Sequence, residues 1–196
     1  MNCGIREKLP GKYGKINSMN NLTLLQDFYR GKRVLVTGHT GFKGSWLTIW
    51  LRELGAEVVG YAFDPYTDND NFVLSGVGKS IVDIRGDVRD AAKLEEVMRK
   101  YKPEILFHLA AQPLVRFSYE QPVETYEVNV MGTIKVMEAF RRADSAKVAV
   151  MITTDKCYEN REQLWGYRED EAMGGYDPYS SSKGVAEIAI SSWRRS

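Results

Sequence analysis

Hydrophobic positions along this chain switch between two periods. Short runs of aliphatic and β-branched residues predict strands at 33–37, 57–63, 81–85, 105–109 and 148–153. Between them, apolar residues recur three and four apart and predict helices over 42–54, 91–101, 123–142 and 179–195. The 42–54 segment carries Trp46, Leu47, Trp50, Leu51 and Leu54 at helical spacing and stops at Gly55. The alternation predicts an α/β fold, a doubly wound parallel sheet with strand order 3-2-1-4-5. Segment 154–178 has no period, and a connection of that length is usually functional. Residues 1–20 are polar and rich in Gly and Lys, which predicts a disordered leader with Met19 as an alternative start. Residues 21–196 are then one domain, with no internal repeat.

Composition narrows the partners. With 43% hydrophobic and 27% charged residues and a formal charge of +1, the chain reads as a soluble globular protein. Nothing in it favours nucleic acid or an anionic membrane. No apolar run reaches membrane-spanning length, and residues 1–19 hold no secretory core. Cys3 and Cys157 lack metal-ligand spacing and do not suggest a disulfide framework, which fits a reducing cytoplasm.

Two motifs carry the chemistry. Gly38, Gly41 and Gly44 sit between a predicted strand and a predicted helix with GxxGxxG spacing. Glycines there let the backbone turn sharply and approach a pyrophosphate, which then rests on the positive helix N-terminus. Asp64, twenty residues after Gly44, ends the second strand, where a carboxylate accepts from an adenosine ribose and repels a 2′-phosphate. That favours NAD over NADP. No Lys or Arg occurs from Tyr61 to Gly78, and Lys43 inside the turn is the one counter-indication. Asp64 also precedes Pro65 and suits a simple turn. Asp87, after the third strand, reads as a helix N-terminal signal. The small residues after Leu109, Ala110 and Ala111, allow close passage of a cofactor, and His108 reads as a core or supporting residue.

The second motif is Tyr179-Ser180-Ser181-Ser182-Lys183, a phenol and an ammonium one helical turn apart. Lys183 and an oxidised nicotinamide are expected to lower the pKa of Tyr179 and make it a base. Thr153-Thr154-Asp155-Lys156 falls where the fifth strand ends. Thr154 suits a hydrogen bond to a sugar hydroxyl and Asp155 suits proton donation to a departing one. A turn aspartate beside a solvent-exposed lysine is the plainer alternative. No metal site is expected.

The order of these motifs resembles the extended short-chain dehydrogenase/reductase family, within it the nucleotide-sugar dehydratases and epimerases. The runs that carry it are 37–46, 108–116, 154–160 and 174–179. The resemblance implies an NAD-binding Rossmann fold in which Thr40, Phe42 and Val88 join the cofactor contacts, and it makes an adenine contact an equal alternative for Asp87. It further implies a 4,6-elimination on a nucleotide sugar. Tyr179 takes the 4-hydroxyl proton, a base removes the C5 proton, and Asp155 protonates the departing 6-hydroxyl, with hydride carried by NAD and returned. Lys156 after Asp155 resembles the branch acting on CDP-glucose, where dTDP-glucose relatives have Glu. Lys156 as the base requires its neutral form. The resemblance also implies deoxysugar synthesis for a surface lipopolysaccharide and a homodimer paired through two long helices, 123–142 and 179–195, with 91–101 and its neighbours as the alternative. Relatives continue past the position of Ser196 into a substrate lobe missing from this sequence. A nucleotide-sugar 4-epimerase or ketoreductase, or a chain that binds NAD without turnover, stays open.

Overall fold

The computed structural model describes residues 18–196; of the leader expected over 1–20, residues 1–17, with Cys3, lie outside the described residues, and 18–20 instead open a helix. The chain opens with helix α1 (Ser18–Tyr29), which no periodicity announces, and enters strand β1 (Arg33–Thr37). Then come α2 (Phe42–Glu53), β2 (Glu57–Ala62), a short α3 (Asn71–Leu74), β3 (Val82–Arg85), α4 (Ala91–Tyr101) and β4 (Ile105–His108). Short helices α5 (Val115–Glu120) and α6 (Pro122–Tyr126) lead to a π-helical turn, Glu127–Gly132, and to α7 (Thr133–Arg141). Strand β5 (Val148–Met151) and the last helix, α8 (Pro178–Arg195), complete it. The five strands are parallel in the order β3-β2-β1-β4-β5, as the alternation predicts.

Side-chain alternation in β1 feeds both faces of the sheet. Leu35, with Val59, Tyr61 and Leu106, packs under Leu94, Val97, Met98 and Val136 from α4 and α7. Val34 and Val36, with Val58 and Ile105, pack on the other face with Leu51 of α2 and with Tyr29. Strand β5 is the outer strand, and Val148 and Val150 remain half exposed.

Two local expectations change. In α2 the buried face is Gly44, Ser45, Thr48 and Leu51, while Trp46 and Trp50 face solvent. Small residues win the inner face because α2 lies so close to the preceding turn: a Cβ on Gly44 would stand 2.0 Å from the Gly38 carbonyl oxygen. The helix expected over 123–142 is present and runs without interruption over 122–141, but its middle turn, Glu127–Gly132, is π-helical. Asn129, fully buried in that turn, is drawn inward to partners on two other segments. Gly132 accommodates the bulge, since a Cβ there would press on Val88 at 2.8 Å.

Candidate functional site

The carboxyl edge of the sheet holds a cavity of about 380 Å³. The glycine turn forms one wall. Gly38 has φ +74° and donates its N–H to the Tyr61 carbonyl at 2.9 Å. A side chain there would collide with Ala110 N at 2.7 Å, so only glycine closes this turn against the end of β4. Gly41 N–H closes the turn onto the Gly38 carbonyl at 3.1 Å, and Ser45 N–H begins the α2 ladder on Gly41. The turn is pinned from below by His39, whose Nε2 lies 2.8 Å from Asp83 Oδ1 of β3.

All six expected turn residues, Gly38, Thr40, Gly41, Phe42, Lys43 and Gly44, line the cavity, as do Asp64, Val88, Leu109, Ala110, Ala111, Tyr179 and Lys183. Asp87 does not. Its carboxylate accepts from Arg89 N–H and Arg89 Nε, both at 2.8 Å, while Asp90 caps α4 through Lys93 N–H. The helix signal at this corner therefore belongs to Asp90, and Asp87 shapes the turn before it. Phe63, Tyr66 and Gly86 also line the cavity without having been singled out as site residues, together with Pro113 of the 108–116 run and Thr153.

At the far wall, α8 presents Tyr179 and Lys183. Asp177 caps that helix, accepting from Ser180 N–H at 2.9 Å and Ser180 Oγ at 2.6 Å. Lys183 is buried, and burial pulls its pKa from 10.5 to about 8, with Glu187 pulling the other way. Glu187 also accepts a short hydrogen bond from Thr153. The lowering expected at Tyr179 counts on an oxidised nicotinamide as well as Lys183; the chain's own groups act the other way. Burial holds the phenol above its ordinary pKa, aided by the charges of Asp155 and Asp177, and only a hydrogen bond with Thr154 opposes them. The charge of Lys183 is felt instead by His108, whose pKa is pushed down to about 3, first by burial and then by that charge.

His108 is fixed as one neutral tautomer. Thr133 donates its hydroxyl to the Asn129 carbonyl at 2.7 Å, so it accepts from His108 Nε2–H at 3.1 Å. His108 Nδ1 then accepts from Thr37, 2.7 Å away. Thr37 in turn accepts Ala110 N–H at 3.3 Å, which locks the end of β4 beside the glycine turn. Asn129, which no sequence motif marked, accepts Gln112 N–H at 2.8 Å. It donates to Gln112 O at 3.1 Å and to Ser182 Oγ at 2.9 Å. Its signal was indirect, a polar residue among the apolar positions of a predicted helix.

Thr154 and Asp155 open the irregular segment after β5. Thr154 donates to Asp155 at 3.0 Å, and its oxygen accepts Lys156 N–H at 3.4 Å. Asp155 and Lys156 are exposed and stand outside the cavity lining. The charge of Asp155 acts on Tyr179 at the cavity wall, while that of Lys156 acts on Asp177, the cap of α8. Cys157 is a free, buried thiol. Among the described residues there is no His/Cys/Asp/Glu cluster able to hold a metal, and no helix is long and apolar enough to cross a membrane.

The glycine turn, the Asp64 carboxylate and a Tyr/Lys pair around one cavity at the carboxyl edge of a parallel sheet define a domain of the Rossmann type. The chain belongs to the family described as GDP-mannose 4,6 dehydratase, whose model matches residues 35–196. It is 56% identical over 171 residues to CDP-glucose 4,6-dehydratase of Salmonella typhimurium, a match covering 87% of this chain and 48% of that protein. It is 32% identical to UDP-glucose 4-epimerase of Mycolicibacterium smegmatis, over 83% of this chain and 51% of that protein. Among solved structures it resembles UDP-glucose 4-epimerase from Brucella ovis in complex with NAD, with a TM-score of 0.71 and 29% identity. That match covers 85% of this chain and 49% of that one. The chain thus spans about half the length of the relatives it matches.

Proposed function

We propose that this chain is the cofactor-binding and reactive half of a nucleotide-sugar 4,6-dehydratase acting on CDP-glucose through NAD. One observation carries the reading: Tyr179 and Lys183 close the end of a glycine-walled cavity, with Thr154 hydrogen-bonded to the phenol and Asp155 beside it. The 56% identity to a CDP-glucose 4,6-dehydratase supports the substrate. The cavity fits a dinucleotide, because Gly41 and Gly44 keep side chains off the α2 N-terminus and Asp64 stands at the opposite end. NAD, when bound, supplies the hydride acceptor and later donor.

The chain's own groups do the remaining work. Positive charge beside Tyr179 lets the phenol release the proton that burial otherwise holds; the phenolate then accepts the 4-hydroxyl proton, with Thr154 turning its hydroxyl from Asp155 to the phenolate. Lys183, neutralised in part near pH 8, supplies an ammonium to the ribose side and relays protons to Tyr179. Asp155 protonates the departing 6-hydroxyl, and Lys156, next to it in the chain, takes the C5 proton once bound sugar covers this segment. The Asn129–Ser182 tie keeps the Tyr179/Lys183 turn of α8 in register with the cavity. A homodimer paired through α6–α7 and α8 belongs to the same reading, supported by the exposed Val123, Val185 and Ile188. A cytoplasmic location fits a thiol left free at Cys157.

The test is incubation with CDP-glucose and detection of a 4-keto-6-deoxy sugar, using both the 196-residue chain and a chain extended to the length of its relatives. Product from the extended chain alone assigns the reaction and shows that sugar recognition lies elsewhere. A 4-epimer or no product from either sinks the dehydratase assignment.

A further inference from the structure

The Asp64 end of the cavity holds a cation that no sequence spacing announces. Arg85, the last residue of β3, sets its Nε 3.1 Å from Asp64 Oδ1. The same guanidinium meets Asp83 Oδ2 at 2.9 Å, donates to the Phe63 carbonyl at 3.2 Å, and lies 5.1 Å over the Phe72 ring. Asp83 is itself tied to the buried His39 of the glycine turn at 2.8 Å. A lone exposed ion pair would fix little. Here three contacts besides Asp64 hold the guanidinium in place, so it stays put when Asp64 is removed.

We infer that Arg85 sets how strongly the site discriminates NAD from NADP, acting through Asp64. This rests on the reading that the cavity holds a dinucleotide with Asp64 at the adenosine ribose. Asp64 then does two things: it accepts from the ribose hydroxyls, and it occupies Arg85. A phosphate on the ribose 2′-oxygen has to stand where the carboxylate stands. An anion in that position is within hydrogen-bonding distance of Arg85 Nε, because Asp64 Oδ1 already is. Guanidinium suits phosphate in shape and charge. The fold therefore carries a phosphate-binding group masked by its own carboxylate. Replacing Asp64 does more than relieve repulsion; it exposes a positioned cation. Arg85 reaches the cavity only through Asp64, and is a positioning residue rather than a catalytic one.

The experiment is calorimetric titration of the purified chain with NAD⁺ and with NADP⁺. Four proteins are compared: wild type, Asp64→Ala, Arg85→Gln and the double variant, each checked by thermal melt. Wild type is expected to prefer NAD⁺. Asp64→Ala gains affinity for NADP⁺ by about tenfold or more, the scale of one new charge-assisted hydrogen bond. The double variant loses most of that gain. Arg85→Gln alone leaves NAD⁺ binding near wild type. Equal NADP⁺ gains in Asp64→Ala and the double variant overturn the inference, since loss of repulsion, or Lys43, then accounts for everything. Should Arg85→Gln fail to fold, Arg85→Met keeps the packing on Phe72 and decides the same comparison. A wild type that binds neither dinucleotide fails the NAD reading itself. A wild type that binds NAD⁺ with equal gains in the two variants fails only the role of Arg85.

Discussion

Asn129 donates to Ser182 Oγ at 2.9 Å across 53 residues of chain, joining the π turn before α7 to the helix that carries Tyr179 and Lys183. Both residues are fully buried. The same amide both accepts from and donates to the Gln112 backbone. Asn129→Ala would strand these partners inside the protein. A buried polar group left unpaired costs about 1–3 kcal/mol, so urea unfolding of the variant is expected to show a loss of about 2 kcal/mol or more. A loss of a few tenths would mean that water or a rearranged turn replaces the amide.

Thr154 is expected to tune the phenol. Its hydrogen bond favours the phenolate of Tyr179 against burial and two carboxylates. Thr154→Val removes it and raises the Tyr179 pKa further. In an extended, active chain the alkaline rise of turnover should move to higher pH, with dinucleotide affinity unchanged. An unmoved profile would take Tyr179 out of the role of base. Tyr179→Phe in the same chain is expected to lose about 10²–10⁴-fold in rate.

Lys183 makes stability depend on pH. Its folded pKa, about 8, lies below the ordinary 10.5. Between these values the unfolded chain binds more protons, so stability rises as pH climbs from about 8 to 10.5. Below pH 8 the full cost of burying the ammonium is present. Lys183→Met should therefore stabilise the protein at pH 7, by on the order of 3 kcal/mol at most, and the gain should shrink toward pH 10. Melting curves at both pH values decide it; a pH-independent difference would mean that the lysine is well paired.

Asp155 separates oxidation from elimination. Asp155→Asn keeps the shape and offers no comparable proton. In an extended chain it is expected to accumulate reduced nicotinamide absorbance and stall before the 6-deoxy product. Failure to reduce the cofactor while sugar still binds would place Asp155 in the first step. A normal rate would leave it a turn residue.

The layout was legible where local chemistry decides it. β1 is a run of buried aliphatics closed by a glycine with positive φ, and Ala91–Tyr101 is periodic, capped by Asp90 and ended before Pro103. Those signals need no distant partner. Asn129 carried none, because its place depends on Gln112 and Ser182 arriving from other elements. Arg85 carried none for the same reason. Pairing of β2 with β3 sets Arg85 opposite Ala62, two residues before Asp64, and no scan along the chain around Asp64 detects a cation from the next strand. The π turn was invisible because its apolar spacing still reads as helix. For Tyr179 the sequence shows the lysine one turn away but not the burial, nor the carboxylates of Asp155 and Asp177, that by themselves hold the phenol protonated.

Strand β5 has a handling consequence. Its outer backbone edge ends the sheet, flanked by the half-exposed Val148 and Val150. An open apolar strand is a template for another strand, so storage of the 196-residue chain by itself is expected to be limited by crowding as well as by heat. Light scattering should rise with concentration at temperatures far below melting, and Val150→Lys should quiet it without shifting the melt.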